Sequence, residues 1–301
     1  MSGTDMDALL SEAATRLRTA GVESPRREAR LLLGYVLGMR QEDIVAGKTS
    51  ALMSEALARY EAALARRVGR EPFAYIVGSR EFWSLPFVVG PGVLIPRPES
   101  ETLIEEVLRR FPSRDACLRI ADLGTGSGCL LLALLSERPN AAGIGIDISQ
   151  TALAFAARNA AALGLEKRAA FVCGDWLENI SGAFDAILVN PPYIPSAELS
   201  ELELEVARYE PRLALDGGPD GLAEYRRVAA CLPAHLKPQG LAFFELGLGQ
   251  AESVGAVLKQ QGLAIEGTVC DLAGIPRCLV AGVRGPGSAP KKDLASEIRS
   301  G

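Results

Sequence analysis

The sequence predicts an α/β protein: a mostly parallel sheet of seven strands with helices on both faces, preceded by a small helical bundle and a linking β-hairpin. Three observations predict it. From Arg119 onward, short apolar strand-like runs alternate with helical stretches, the pattern of a parallel sheet covered on both sides. Residues 1–80 show helical spacing throughout. Between the two regions, aromatic and β-branched residues flank a turn-forming tripeptide.

Taken in order, Leu9, Leu10, Ala13, Ala14 and Leu17 lie on one face at helical spacing. Ser24-Pro25 predicts an N-cap followed by proline at the first helical position, and Gly38 closes that helix near Leu37. A third helix is predicted from about Ser50 to Val68, with Gly69 as its stop. Phe82, Trp83, Phe87, Val88 and Val89 flank Ser84-Leu85-Pro86, which predicts a short hairpin within 81–92. Helix returns over 100–111. Strands are predicted at 119–123, 143–147, 170–173, 186–189, 240–246, 265–271 and 277–283, and helices at 129–137, 151–163, 222–234 and 250–261. The composition after Arg284 predicts a disordered tail. The expected division is a helical domain over 1–80, a linker over 81–98, a catalytic domain over 99–284 and the tail over 285–301.

At roughly 150 residues per domain, 301 residues suit two domains. Hydrophobic residues make up 48% and charged residues 23%, a globular balance that excludes a mainly disordered chain. The formal charge is −5 and the pI about 5.2, against a surface that grips nucleic-acid backbone over its whole extent. Residues 1–80 hold 12 basic and 10 acidic residues, and 81–301 hold 20 and 27. A single histidine, His235, excludes a His-rich metal site, and no metal is expected. Asp5, Asp7, Glu12, Arg16 and Arg18 are unlike a secretory signal. The longest strongly apolar run, 129–135, falls far short of the ~18 residues that suggest a membrane span. Cys117, Cys129, Cys173, Cys231, Cys270 and Cys278 form no CxxC pair, and the expectation is buried free thiols in a cytoplasmic protein.

Asp122-Leu123-Gly124-Thr125-Gly126-Ser127-Gly128 follows a strand and opens a helix. Its glycines allow a tight turn and close backbone approach to a ligand. A dinucleotide fingerprint requires its third glycine at the position of Cys129, so the match is D-x-G-x-G-x-G, the pattern of S-adenosylmethionine enzymes. Asp147 ends the next strand, where a carboxylate accepts hydrogen bonds from ribose hydroxyls. Asp175 and Trp176 end the third. There a carboxylate suits the adenine amine, and an indole suits its ring. Asn190-Pro191-Pro192-Tyr193 follows the fourth strand. Two prolines stop the ladder and leave carbonyl acceptors without donors. Asn190 adds a side-chain acceptor and Tyr193 a flat ring. This set suits a planar NH2 group, held by its two N–H bonds while its face packs on the ring. An amide nitrogen is a poor nucleophile, so orientation and acceptors for its N–H groups are the expected catalytic means.

These motifs resemble the class I S-adenosylmethionine methyltransferases that modify planar nitrogens. Arg70-Glu71-Pro72-Phe73-Ala74-Tyr75, Pro96-Arg97-Pro98-Glu99, Tyr209-Glu210-Pro211-Arg212 and Asp216-Gly217-Gly218-Pro219-Asp220-Gly221 resemble, more narrowly, the HemK/PrmC family of peptide-chain release factor glutamine methyltransferases. The resemblance spans about residues 5–283. Ser100 stands where threonine is frequent, and Ile275 interrupts the usual polar continuation of Asp271-Leu272-Ala273-Gly274.

The resemblance implies a Rossmann-like class I fold. It implies methylation of the glutamine side-chain nitrogen in the Gly-Gly-Gln motif of class 1 release factors, with S-adenosyl-L-methionine as donor and S-adenosyl-L-homocysteine as product. Gly124, Thr125, Gly126, Ser127, Gly128, Asp147, Asp175, Trp176 and Asn190 would bind the cofactor. Asn190, Pro191, Pro192 and Tyr193 would bind the substrate amide, with Asn190, Pro191 and Tyr193 as the catalytic set. The helical domain would help hold the release factor. Arg97 and Glu99 stand between two readings, pocket lining and scaffold. A ribosomal-protein glutamine methyltransferase is the nearest rival, and Pro98-Glu99 favours the release factor. A nucleic-acid adenine methyltransferase would need a basic target-binding region, which the charge distribution does not supply. A non-enzymatic binder would not need Asn190–Tyr193.

Overall fold

The computed structural model describes residues 3–45 and 54–283. The first of these residues fold as α1 (Gly3–Thr19), α2 (Pro25–Leu37), α3 (Gln41–Val45), α4 (Ser54–Val68) and α5 (Phe73–Val77). Leu17, Leu32, Leu33, Tyr60 and Leu64 are fully buried between them, and the expected face of α1 points into this core. Pro25 opens α2 as expected and Gly38 closes it at φ 64°, but Ser24 makes no side-chain capping bond. The expected start of the third helix, near Ser50, and the expected tail both lie outside the described residues. The sequence pattern omits α3 and α5, because five residues are too few to show a helical period.

The hairpin consists of β1 (Ser79–Phe82) and β2 (Leu85–Val88). Its turn is Trp83-Ser84, one residue earlier than expected, and Pro86 lies inside β2 opposite Glu81. Proline is tolerated there because each strand of a two-stranded ribbon has an unpaired edge. Trp83 and Ser84 both have positive φ, 52° and 56°, as a tight hairpin turn demands. Trp83 is held by its main-chain N–H to Glu101 and its indole N–H to Glu137, at 2.8 and 2.9 Å.

After α6 (Glu101–Arg110) comes the sheet, with strands β3 (Arg119–Leu123), β4 (Ala142–Asp147), β5 (Ala169–Cys173), β6 (Phe184–Val189), β7 (Leu236–Glu245), β8 (Leu263–Cys270) and β9 (Pro276–Val283). Their order is β5-β4-β3-β6-β7-β9-β8, and every neighbouring pair is parallel except the two that β9 makes, with β7 and with β8. The helices between strands are α7 (Cys129–Glu137), α8 (Gln150–Ala162), α9 (Leu204–Tyr209), α10 (Ala223–Cys231) and α11 (Ala251–Gln260).

Period-two alternation sends neighbouring strand residues to opposite faces. Leu188 and Phe243 join one core with α6, α7 and α8, whereas Ile187, Val189 and Phe244 join the other with α10 and α11. In α7 every residue from Leu130 to Leu135 is buried, so the helix is apolar all round. All six cysteines are free. The expectation that they are buried is corrected: Cys278 is buried, but Cys117, Cys173 and Cys270 are exposed. Cys173 and Cys270 lie on the edge strands β5 and β8, where less of the surrounding structure covers them.

Candidate active site

The chain order reverses between β3 and β6, and ligand sites in open α/β sheets lie beyond the strand ends at such a point. Strand register decides which residues meet there. Leu123 pairs with Ile146 on one side and Val189 on the other. Asp147 pairs with Cys173, and Val189 pairs with Phe244. One residue beyond those pairs, Asp147, Gly124, Asn190 and Glu245 follow one another across the C-terminal edge. Motifs tens of residues apart in sequence thus share one row.

A cleft of about 540 Å³ opens above that row. Gly124, Thr125, Gly126, Ser127, Asp147, Asp175, Trp176, Asn190 and Pro192 are on its wall. The loop glycines have φ of 69°, 56° and 79° at Gly124, Gly126 and Gly128, where a side chain is strained. Gly128 is not on the wall; it caps α7, and a methyl group there would press on Ala156 and Leu132 at 3.2 Å. Asp147 accepts the N–H groups of Gly126 and Ser149, at 2.9 and 2.8 Å. Each carboxylate oxygen keeps a second lone pair, so both bonds leave room for ribose hydroxyls. Ser149 caps α8 through Ala152, which frees Asp147 from that task. Burial pushes the Asp147 carboxyl up, opposed by the two N–H bonds. Beneath the loop, Asp122 is buried and accepts the Thr125 hydroxyl at 2.6 Å; burial pushes its pKa up to about 7.

At the far end of the cleft, Asp175 accepts Arg227 at 2.5 Å, and the Trp176 indole N–H bonds Glu224 at 2.8 Å. Arg227 also bonds Glu224 at 2.8 Å. Trp176 sits at φ 51°, and its ring edge lies 3.4 Å from where a side chain on Gly124 would start. The expected pair is therefore present, but held by Arg227 and Glu224. The cleft's groups and shape suit S-adenosyl-L-methionine: an acceptor carboxylate on Asp147 for hydroxyls, exposed Ile148 and half-buried Trp176 for a flat base, and a backbone opened by glycine.

A second chamber of about 360 Å³ shares Leu94, Arg97, Asn190 and Ala214 with the cleft and adds Tyr193, Leu202, Glu203, Val206 and Glu245. Asn190 thus stands in the wall between the two. Its Nδ2 donates to the Ser100 hydroxyl at 3.5 Å, and Ser100 donates to Glu245 at 2.5 Å. With Nδ2 engaged, Oδ1 is the group free to accept an N–H. Glu245 is buried, and loss of water pushes its pKa up to about 7 against the pull of Ser100 and Arg277. Burial, then the Glu245 charge, raise the Tyr193 phenol as well. Pro191 is buried and lines neither cavity.

The glycine-rich stretch after Asp216 supports this corner. Ile194 bonds to Leu215 and Gly217 through its backbone. A side chain on Gly217 would start 2.7 Å from the Tyr193 Cα, so only glycine fits. Asp216 accepts Ser196 and the Gly218 N–H, at 2.6 and 3.1 Å. Arg97 resolves to both of its readings: it lines both cavities and bonds buried Glu210 at 2.5 Å, whose other oxygen accepts the Ile95 N–H. His235 is structural, bonded to the carbonyls of Cys231 and Ile180. From sequence, Ser100 and Glu210 stand only inside the family resemblance, without a site role, and Glu245, Glu224 and Arg227 are not singled out.

Fold and site together define a class I S-adenosyl-L-methionine-dependent methyltransferase: a seven-stranded sheet with a glycine-loop cleft and an Asn-Pro-Pro-Tyr corner at its switch point. The PrmC N-terminal domain family matches residues 8–78, and the Methyltransferase small domain family matches residues 100–205. The release factor glutamine methyltransferase of Rhodospirillum rubrum is 49% identical over 94% of this chain and 86% of its own. That of Caulobacter vibrioides is 45% identical over 92% and 96%. A solved protein-(glutamine-N5) methyltransferase (release factor-specific) from Alicyclobacillus acidocaldarius is 29% identical over 66% of this chain and 100% of that one, with a TM-score of 0.40. The chain belongs to the release factor glutamine methyltransferase family.

Proposed function

We propose that this chain methylates the side-chain amide nitrogen of the glutamine in the Gly-Gly-Gln motif of class 1 peptide chain release factors. The observation that supports this most is the position of Asn190 between a cofactor-sized cleft and a separate chamber. An amide placed in the chamber meets the Asn190 acceptor on the side where the cofactor cleft begins.

S-adenosyl-L-methionine supplies the electrophilic methyl group and leaves as S-adenosyl-L-homocysteine. The protein's share is orientation. Gly124, Thr125, Gly126, Ser127 and Asp147 hold the donor, Gly128 fixes the loop, and Asp175 and Trp176 close its adenine end. Asn190 Oδ1 accepts one amide N–H, and Ser100 with Glu245 keeps that oxygen turned to the substrate. Pro192 and Tyr193 complete the amide site, with the Tyr193 ring as its flat wall. The part of Pro191, a carbonyl acceptor for the second N–H, rests on the family resemblance. Acceptors favour the N–H groups as positive charge grows on nitrogen, which lowers the barrier without a strong base; once the N–CH3 bond has formed, one N–H proton is lost to solvent and leaves a neutral N-methyl amide. Methyl transfer from a sulfonium to an amide nitrogen calls for no metal.

The helical unit over 1–80, joined by the 81–98 linker to the catalytic unit over 99–284, helps hold the release factor. The substrate is a protein loop, so direct nucleic-acid contact is not required. A partner that works on the ribosome places the reaction in the cytoplasm. No described helix is long and apolar enough to cross a membrane. The test is transfer of labelled methyl from S-adenosyl-L-methionine to a purified class 1 release factor. Incorporation is expected, and it should vanish when the motif glutamine is replaced by alanine. Equal labelling of both proteins would refute the assignment.

A further inference from the structure

The chain between the Asn190–Tyr193 corner and α10 forms the outer wall of the second chamber, through Leu202, Glu203 and Val206. Its one α-helix, α9, has six residues, none of them buried. So short a helix has no stability of its own in water. Polar bonds at both ends hold it. On its outer side Glu205 accepts Arg67 Nη1 at 2.9 Å and Arg70 Nη2, and the Tyr209 hydroxyl donates to the Gly69 carbonyl at 2.7 Å. All three partners belong to the end of α4 or the residues just after it, in the helical unit.

Those partners are themselves fixed. Arg67 is 6% exposed and also pairs with Glu28 of α2 at 2.5 Å. Arg70 adopts φ 68°, unfavourable for a residue with a Cβ, and donates to the carbonyls of Ala20 and Gly21 after α1. The two arginines therefore tie α9 to the ends of three helices. Just beyond α9, Glu210 ties the same segment to Arg97 and Ile95 of the catalytic unit.

We infer that Glu205 is a positioning residue for methyl transfer: through Arg67 and Arg70, the helical unit sets the chamber wall against which the substrate amide is aligned. The inference rests on the chamber being the glutamine site. It gives the helical unit a task in the chemical step beside its task in holding the partner.

The test uses the full-length chain with Glu205→Ala, S-adenosyl-L-methionine and a purified class 1 release factor. A misaligned amide should lower kcat about tenfold or more, since small displacements of reacting groups are costly. KM should change much less, and cofactor affinity by calorimetry should hold, which also shows that the variant folds. Glu205→Gln keeps an acceptor oxygen and should fall between wild type and alanine. Tyr209→Phe removes one hydrogen bond and should lower kcat in the same direction by less. Amide hydrogen exchange over 202–209 should quicken in Glu205→Ala. A raised KM with intact kcat would overturn the inference, leaving the arginines as domain fasteners only, and so would unchanged exchange across α9. If the wild-type chain itself left the release factor glutamine unmethylated, the functional reading would fail, while the exchange measurement would still decide the fastening.

Discussion

Asn190 is the one residue of the Asn-Pro-Pro-Tyr corner that lines both cavities and offers a side-chain amide. Asn190→Ala removes the acceptor and should lower kcat about a hundredfold, as losing one transition-state hydrogen-bond partner does elsewhere. Cofactor affinity should be largely spared. Asn190→Asp keeps an oxygen of similar shape and should retain more activity than the alanine variant. Asp147→Ala should weaken cofactor binding more than about tenfold by calorimetry, because hydrogen bonds to a charged group are worth roughly 1.5–3 kcal/mol and the loop loses its tie at Gly126 as well. Glu245 gives a pH signature. Its carboxyl titrates at about 7 when folded against 4.5 in an unperturbed chain. The folded state binds that proton more tightly. Its stabilising contribution is complete below about pH 4.5 and is lost as pH rises through 7, an amount on the order of 3 kcal/mol. Asp122 acts in the same direction. Comparison with Glu245→Gln isolates one group: between pH 5 and pH 8, denaturant titration should show wild type losing more stability than the variant. The loop glycines, Asp147 and Asn190 were readable in sequence because each motif keeps its chemistry within a few adjacent residues. Ser100 and Glu245 were not, because strand register brings 190 beside 245 and the turn that opens α6 then sets Ser100 against both.

At the scale of elements, strands and long helices follow their periodicity, and the differences fall where elements are short. The hairpin turn sits at Trp83-Ser84 because bonds to Glu101 and Glu137 hold a tryptophan in a conformation its type disfavours. α9 has no periodic signature, yet it walls the chamber and carries Glu205. The stretch from Asp216 to Gly221 reads in sequence only as a motif. In the structure it supports the Tyr193 backbone from behind. Gly217→Ala forces a methyl group to within 2.7 Å of the Tyr193 Cα, so the corner must move. The expected result is a loss of about 1–3 kcal/mol in stability, as for other overpacked sites, with kcat reduced and cofactor affinity kept. A variant with wild-type melting temperature and kcat would show that the corner does not depend on this support.

At the scale of the molecule, alternating strands and helices were enough to foresee a parallel sheet with a cleft at its C-terminal edge. How the helical unit meets that edge was not foreseeable, because the join depends on Arg67 and Arg70 meeting Glu205, 138 and 135 residues further along the chain. One sheet edge brings together the cleft and the chamber, with Asn190 in the wall of both. In the proposed reaction the methyl group passes to the nitrogen of a glutamine side chain. Tandem mass spectrometry of a class 1 release factor, after incubation with this protein and S-adenosyl-L-methionine, measures that directly. A single added methyl group is expected on the glutamine of the Gly-Gly-Gln motif, strongly reduced with Asn190→Ala. A methyl group on any other residue, or equal methylation by wild type and Asn190→Ala, would contradict it.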